Sequence, residues 1–207
     1  MSKAMLKTKV KHLATACEPH GFVLDGPFRL KRIVPHIDQF IEVQPGHDWL
    51  DGKFTCNLGW KHTADGVAAE DVYDHVVNVG WLVGKAELSM GHESKADLEA
   101  SYGQLKSLLL HTGVSFLNGI RNVRQMIEMY EDAERTSNPI ETPTDPRSFF
   151  GVDEGWKHYN LAFGYKVLGD QDRAKNHFNI VVEQHSNQPF DWVKDRRQKC
   201  SEALVSI

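Results

Sequence analysis

Cysteine is scarce. Cys17, Cys56 and Cys200 stand far apart among 207 residues, and no CxxC pair occurs. An odd, scattered set argues against a disulfide framework or a cysteine-rich zinc site, and predicts free buried thiols in a reducing cytoplasm. Long apolar runs are missing as well. The longest, Val76 to Val83, is broken by Asn78 and Gly80 and is too short to span a bilayer. Met1 to Leu6 leads into lysines rather than an apolar core, so no secretory signal is expected. Neither sign of charge dominates: 24 Lys and Arg against 28 Asp and Glu leave a net charge of −4. That balance argues against nucleic acid or an anionic membrane as partner.

Familiar catalytic spacings are also lacking. There is no GxSxG elbow, no GxxxxGK phosphate loop, no glycine-rich dinucleotide run and no HExxH. No cofactor is expected, and catalysis has no positive support, although sites can assemble from distant residues. What remains is an ordinary globular balance of 41% apolar, 25% charged and 10% aromatic residues. The length suits one large domain or two small ones.

The grammar changes along the chain. Leu6, Val10, Leu13, Ala14 and Cys17 recur at three- and four-residue spacing, which predicts a helix stopped by Pro19 and Gly21. Phe22-Val23-Leu24, an Asp25-Gly26 turn and the alternating Phe28 to Val34 predict a hairpin. Phe40 to Gln44 reads as another strand. Beyond Asp51-Gly52, Phe54, Cys56, Leu58 and Trp60 share one face, with Thr55, Asn57 and Gly59 on the other. Val76 to Val83 reads as the last strand. Strands joined by short turns predict an antiparallel sheet of four or five strands over residues 1–90.

Residues 94–207 carry a helical period. Ser94 with Asp97 fits a capping box, followed by Leu98, Tyr102, Leu105, Leu108 and Leu109. Val114, Leu117, Ile120, Val123, Ile127 and Tyr130 make a second stripe. Pro139, Pro143 and Pro146 mark residues 136–148 as a linker or surface loop. Two helices then meet at Leu168-Gly169-Asp170, and a third opens at Pro189. Within that pair, about residues 153–186, Leu161, Ala162, Tyr165, Gly169, Ala174 and Phe178 fall at the spacing of a tetratricopeptide repeat. No second copy follows, so the hairpin must pack on other helices. The fold class expected is therefore α+β: an N-terminal helix, an antiparallel sheet, then an α-helical half, separate or in one compact unit.

The strand motifs carry a family resemblance. Gly21-Phe22, Phe28-Arg29, Ile41-Glu42-Val43-Gln44 and Phe54-Thr55-Cys56-Asn57-Leu58-Gly59, behind an N-terminal helix, resemble the opening of bacterial domain-of-unknown-function family 4304. The resemblance covers residues 1–90 and implies a small α+β domain of bacterial origin, with no reaction attached. The family's usual His/Arg-containing strand is not found unless residues 74–80 replace it.

Candidate site residues are the polar and aromatic groups on these strands: Arg29, Arg32, Gln44, Asn57, Trp60, His62 and His75. An Arg, a Gln and an Asn on adjacent strands could present a carboxylate- or amide-binding surface. The competing reading is the solvated face of a sheet. Eleven histidines prompt a search for metal sites. Glu154 and His158 lie four apart, and His47-Asp48 and His92-Glu93 are adjacent pairs, but no two histidines sit three or four apart, so no metal is expected. Lys194, Arg196, Arg197 and Lys199 are interleaved with Asp191 and Asp195, as on a solvated helix face. Trp156, Tyr159, Phe163 and Phe190 could supply a homodimer interface or belong to the core. The expectation is a cytoplasmic, non-enzymatic module that binds another protein, in the manner of an immunity protein or antitoxin. A small-molecule binder or enzyme using the polar sheet face is the alternative.

Overall fold

The structure, a computed structural model, describes residues 3–46, 53–63, 75–84, 90–91, 94–136, 154–184 and 191–207. Helix α1 (Lys3–Cys17) buries the stripe Leu6, Val10, Leu13 and Cys17. One turn of 3-10 helix carries Pro19, and Gly21, at φ 83°, reverses the chain. A Cβ on Gly21 would stand 3.3 Å from Arg32 Cδ, so both conformation and space favour glycine there.

Among the described residues six strands follow: β1 (Val23–Leu24), β2 (Arg29–Val34), β3 (Ile37–Pro45), β4 (Lys53–His62), β5 (His75–Asn78) and β6 (Met90–Gly91). Every pairing is antiparallel. The order is β1-β2-β3-β4-β5, with β6 beside the start of β4. Pairing of Leu30 with Ile41 and Ile41 with Leu58 puts all three on one face and sets the register of the sheet's centre. The predicted alternation along β4 is present: Phe54, Cys56, Leu58 and Trp60 are buried on the inner face.

The strands differ from the sequence reading in extent and number: β3 begins at Ile37 rather than Phe40, and β6 follows the strand read as the last. The last long strand ends at Asn78 rather than Val83. Asn78 Oδ1 accepts from the Gly80 backbone N–H at 2.8 Å, closing a turn, and Trp81–Val83 coil into a 3-10 helix. Strand β6, two residues long, is too short to show any alternation.

The helical half contains α2 (Lys95–Leu108), α3 (Val114–Asn118), α4 (Val123–Thr136), α5 (Glu154–Val167), α6 (Gln171–Gln184) and α7 (Asp191–Val205). Ser94 caps α2: its hydroxyl accepts from the Asp97 N–H, and the Asp97 carboxylate accepts from the Ser94 N–H. A π-turn, Leu109–Gly113, joins α2 to α3. The second stripe, expected as one helix, is two. Gly119 and Ile120 donate back to the Phe116 and Leu117 carbonyls, and Asn122 then caps α4 by accepting from the Gln125 N–H. All six residues of the stripe are nevertheless buried.

At the α5–α6 joint, Gly169 takes φ 77° and Asp170 Oδ1 accepts from the Arg173 N–H. Leu161, Ala162, Tyr165, Ala174 and Phe178 are buried there, with Phe163 edge-on to Phe178 at 5.0 Å. Gly164 lets α5 approach α4, since a Cβ would stand 3.0 Å from Ile127. The proline-bearing stretch and Pro189 lie outside the described residues.

The buried apolar side chains form one cluster running from Leu6 to Ala203. Among the described residues no helix is long and apolar enough to cross a membrane.

Candidate functional site

Alternation divides the sequence-derived candidates between two faces. Arg29, Gln44 and Asn57 stand on the outer face of the sheet, whereas Arg32 and Trp60 stand on the inner face among the core. They therefore do not form one surface. The backbone of His75 pairs with Trp60, but the side chains of His75 and His62 lie outside the described residues. Trp60 is fully buried, tilted against Phe116 at 6.1 Å, and acts as core.

On the outer face a ladder of side-chain hydrogen bonds crosses three strands. Gln44 Nε2 donates to Glu42 at 3.1 Å, Asn57 Nδ2 to Gln44 at 3.0 Å, and Asn78 Nδ2 to Asn57 at 3.3 Å. Gln44 and Asn57 each keep one amide N–H outside this ladder. Arg29 is held by Asp25 at 2.9 Å and lies over the Phe40 ring, and Lys31 pairs with Asp38 at 2.5 Å. Apolar groups share the face: Ile33 on β2 is 72% exposed and Val76 on β5 is 38% exposed.

Arg32 enters a network that the sequence reading missed. Its Nε donates to Gln39 Oε1 at 2.7 Å, and its Nη1 donates to the His20 carbonyl and to Asn118 Oδ1. Gln39, fully buried, donates to the carbonyls of Leu117 and Ile120. These bonds tie the sheet to the turn between α3 and α4. Arg32 also stacks over Phe22 at 4.4 Å. Burial, and secondly the neighbouring Arg121 guanidinium, draw the Arg32 pKa below the ordinary arginine value. One signal was available: Arg32 alternates with Leu30 and Val34, and Gln39 with Ile37 and Ile41, the pattern of polar residues at core positions.

A second polar cluster joins α4, α5 and α6. The Tyr165 hydroxyl donates to Glu131 and accepts from Arg173 Nη1, whose guanidinium lies over the phenol ring. His177 stacks on Tyr165, and its Nδ1 is 2.8 Å from His158 Nδ1, so one imidazole donates and the other accepts. Of the predicted Glu154–His158 pair, only the His158 side chain is described. Among the described residues no group of three His, Cys, Asp or Glu could hold a metal. The pairs His47-Asp48 and His92-Glu93 lie outside them.

Burial and the bond to Glu131 raise the Tyr165 pKa to about 12. The folded chain thus favours the neutral phenol. Its contribution to stability is intact below the ordinary tyrosine value of about 10 and fades as pH rises from there towards 12. Denaturation of wild type and Tyr165→Phe across this window should show the steeper loss in wild type; parallel curves would contradict it.

The remaining candidates resolve simply. All three cysteines are buried and reduced, and burial raises the thiols of Cys17 to about 11 and Cys200 to about 12, and that of Cys56 as well. Such thiols are poor nucleophiles. On α7, Arg196 is buried over Tyr159 and Lys199 pairs with Asp195 at 2.7 Å. Tyr159 and Phe163 are core residues rather than a dimer surface, while the side chain of Trp156 and all of Phe190 lie outside the described residues. No family model matches this chain, and no curated protein or solved structure matches it either.

Proposed function

We propose that this chain is a non-enzymatic, cytoplasmic protein-interaction module whose contact surface is the outer face of the sheet. The observation that carries the proposal is the ladder Glu42–Gln44–Asn57–Asn78, flanked on one face by exposed Ile33 and Val76. Interfaces combine apolar anchors with satisfied polar groups, and amides already held in place lose little freedom when a partner docks. The spare N–H groups of Gln44 and Asn57 suit a partner's carbonyl or carboxylate oxygens. The three cysteines are buried and unpaired, as the proposed reducing compartment would keep them. The likeness to domain-of-unknown-function family 4304 belongs to the same proposal, as does a tetratricopeptide-like character of the α5–α6 hairpin.

Small-molecule binding or catalysis on this face ranks second. Arg29, the cation such a site would use, is already engaged by Asp25 and Phe40.

Affinity capture from the source cells tests the reading, using the tagged full chain, an Ile33→Asp/Gln44→Arg variant, and Glu183→Lys at an exposed position of α6 as control. Wild type and the control should retain one abundant protein that the outer-face variant loses, all three melting alike. Retention by all three, or no partner for wild type, would overturn the proposal.

A further inference from the structure

Arg32 is a cation placed in the interior with no anion beside it among the described residues. It is 7% exposed, and its three described acceptors are neutral: an amide oxygen of Gln39, the His20 carbonyl and the amide oxygen of Asn118. Its Nη2 is buried with no hydrogen-bond partner among the described residues. A buried guanidinium normally meets a carboxylate or phosphate, because neutral acceptors repay its desolvation poorly.

A second guanidinium converges on the same point. Asn118 Oδ1 accepts from Arg32 Nη1 at 2.8 Å and from Arg121 Nε and Nη2 at 3.3 and 3.0 Å. One neutral oxygen with two lone pairs thus faces three N–H groups of two like charges. Among the described residues neither guanidinium forms an ion pair. Arg121 is exposed and Asn118 half-buried, so this end of the network reaches solvent.

We propose that Arg32 and Arg121 form a binding site for a small oxyanion, a phosphate or carboxylate group, at the seam between the turn after α1 and the turn between α3 and α4. Asn118 Oδ1 occupies the position an oxyanion oxygen would take; its side chain swings aside, and the anion accepts from both guanidiniums, Arg32 Nη2 included. Two forks around one group give the bidentate geometry that suits carboxylate and phosphate. The site belongs to the inner side of the sheet and stands independently of the outer contact face.

Thermal melts of the full chain in inorganic phosphate, in acetate and in chloride at matched ionic strength test it. At about ten times its Kd, the bound anion should raise Tm by about 3–5 °C over chloride. Phosphate and acetate distinguish the two classes of oxyanion, and a specific rise with either supports the site. Arg121→Ala, at an exposed position, should melt cooperatively and lose the rise. Asn118→Asp, which places a carboxylate between the guanidiniums, should melt higher than wild type in chloride and gain nothing from either anion. Equal melts in all three salts, or a rise that survives Arg121→Ala, would overturn the proposal.

Discussion

Gln39→Leu should destabilise the protein by about 3 kcal/mol or more, although leucine has similar volume and lies closer to the character of the surrounding core. The substitution orphans Arg32 Nε and the Ile120 carbonyl, and leaves the Leu117 carbonyl with only its bond from the Ile120 N–H. A buried group left without a partner costs about 1–3 kcal/mol, and more where charge is involved. Chemical denaturation of the single variants and of Arg32→Met/Gln39→Leu completes a cycle. The double substitution removes the charge together with its acceptor, so its cost should fall below the sum of the singles by about 1–3 kcal/mol. Additive costs would mean that the two side chains do not act as a unit.

Phe178→Ala should cost a further class of energy, that of a cavity. Phe178 is fully buried on α6 and meets the edge of Phe163 on α5, inside a hairpin whose α5 packs tightly on α4 at Gly164. Elements held this closely collapse poorly around a void, so the loss should reach about 3–5 kcal/mol. Ile33→Ala, at an exposed position of the sheet, should stay within about 0.5 kcal/mol of wild type. A Phe178→Ala loss below about 1 kcal/mol would show that the α5–α6 packing is looser than its contacts imply.

Features written in short-range chemistry were legible in the sequence. The α1 stripe, the alternation of β4, the Ser94–Asp97 box and the Gly169–Asp170 joint each depend on residues within a turn or two of one another. The break at Gly119 was not legible, because the apolar stripe from Val114 to Tyr130 continues across it while the backbone closes two tight turns. The candidate site was half legible. Arg29, Gln44 and Asn57 share a face as their strand parity requires. Arg32 has the parity of a core residue, but charge assigns arginine to solvent unless a buried partner is known, and those partners lie elsewhere: Gln39 across a turn, Asn118 86 positions on. The contact between His158 and His177 depends on the relative phase of two helices.

The central claim is that the outer face of the sheet binds another protein, and the direct test is calorimetric titration of the captured partner into purified full-length chain. Wild type and Glu183→Lys should bind with the same Kd. Asn57→Arg, which breaks the ladder between Gln44 and Asn78 at a half-exposed position, should weaken binding by about tenfold or more, a loss of roughly 1.4 kcal/mol. Undiminished binding by a folded Asn57→Arg and by Ile33→Asp would place the contact elsewhere and contradict the account.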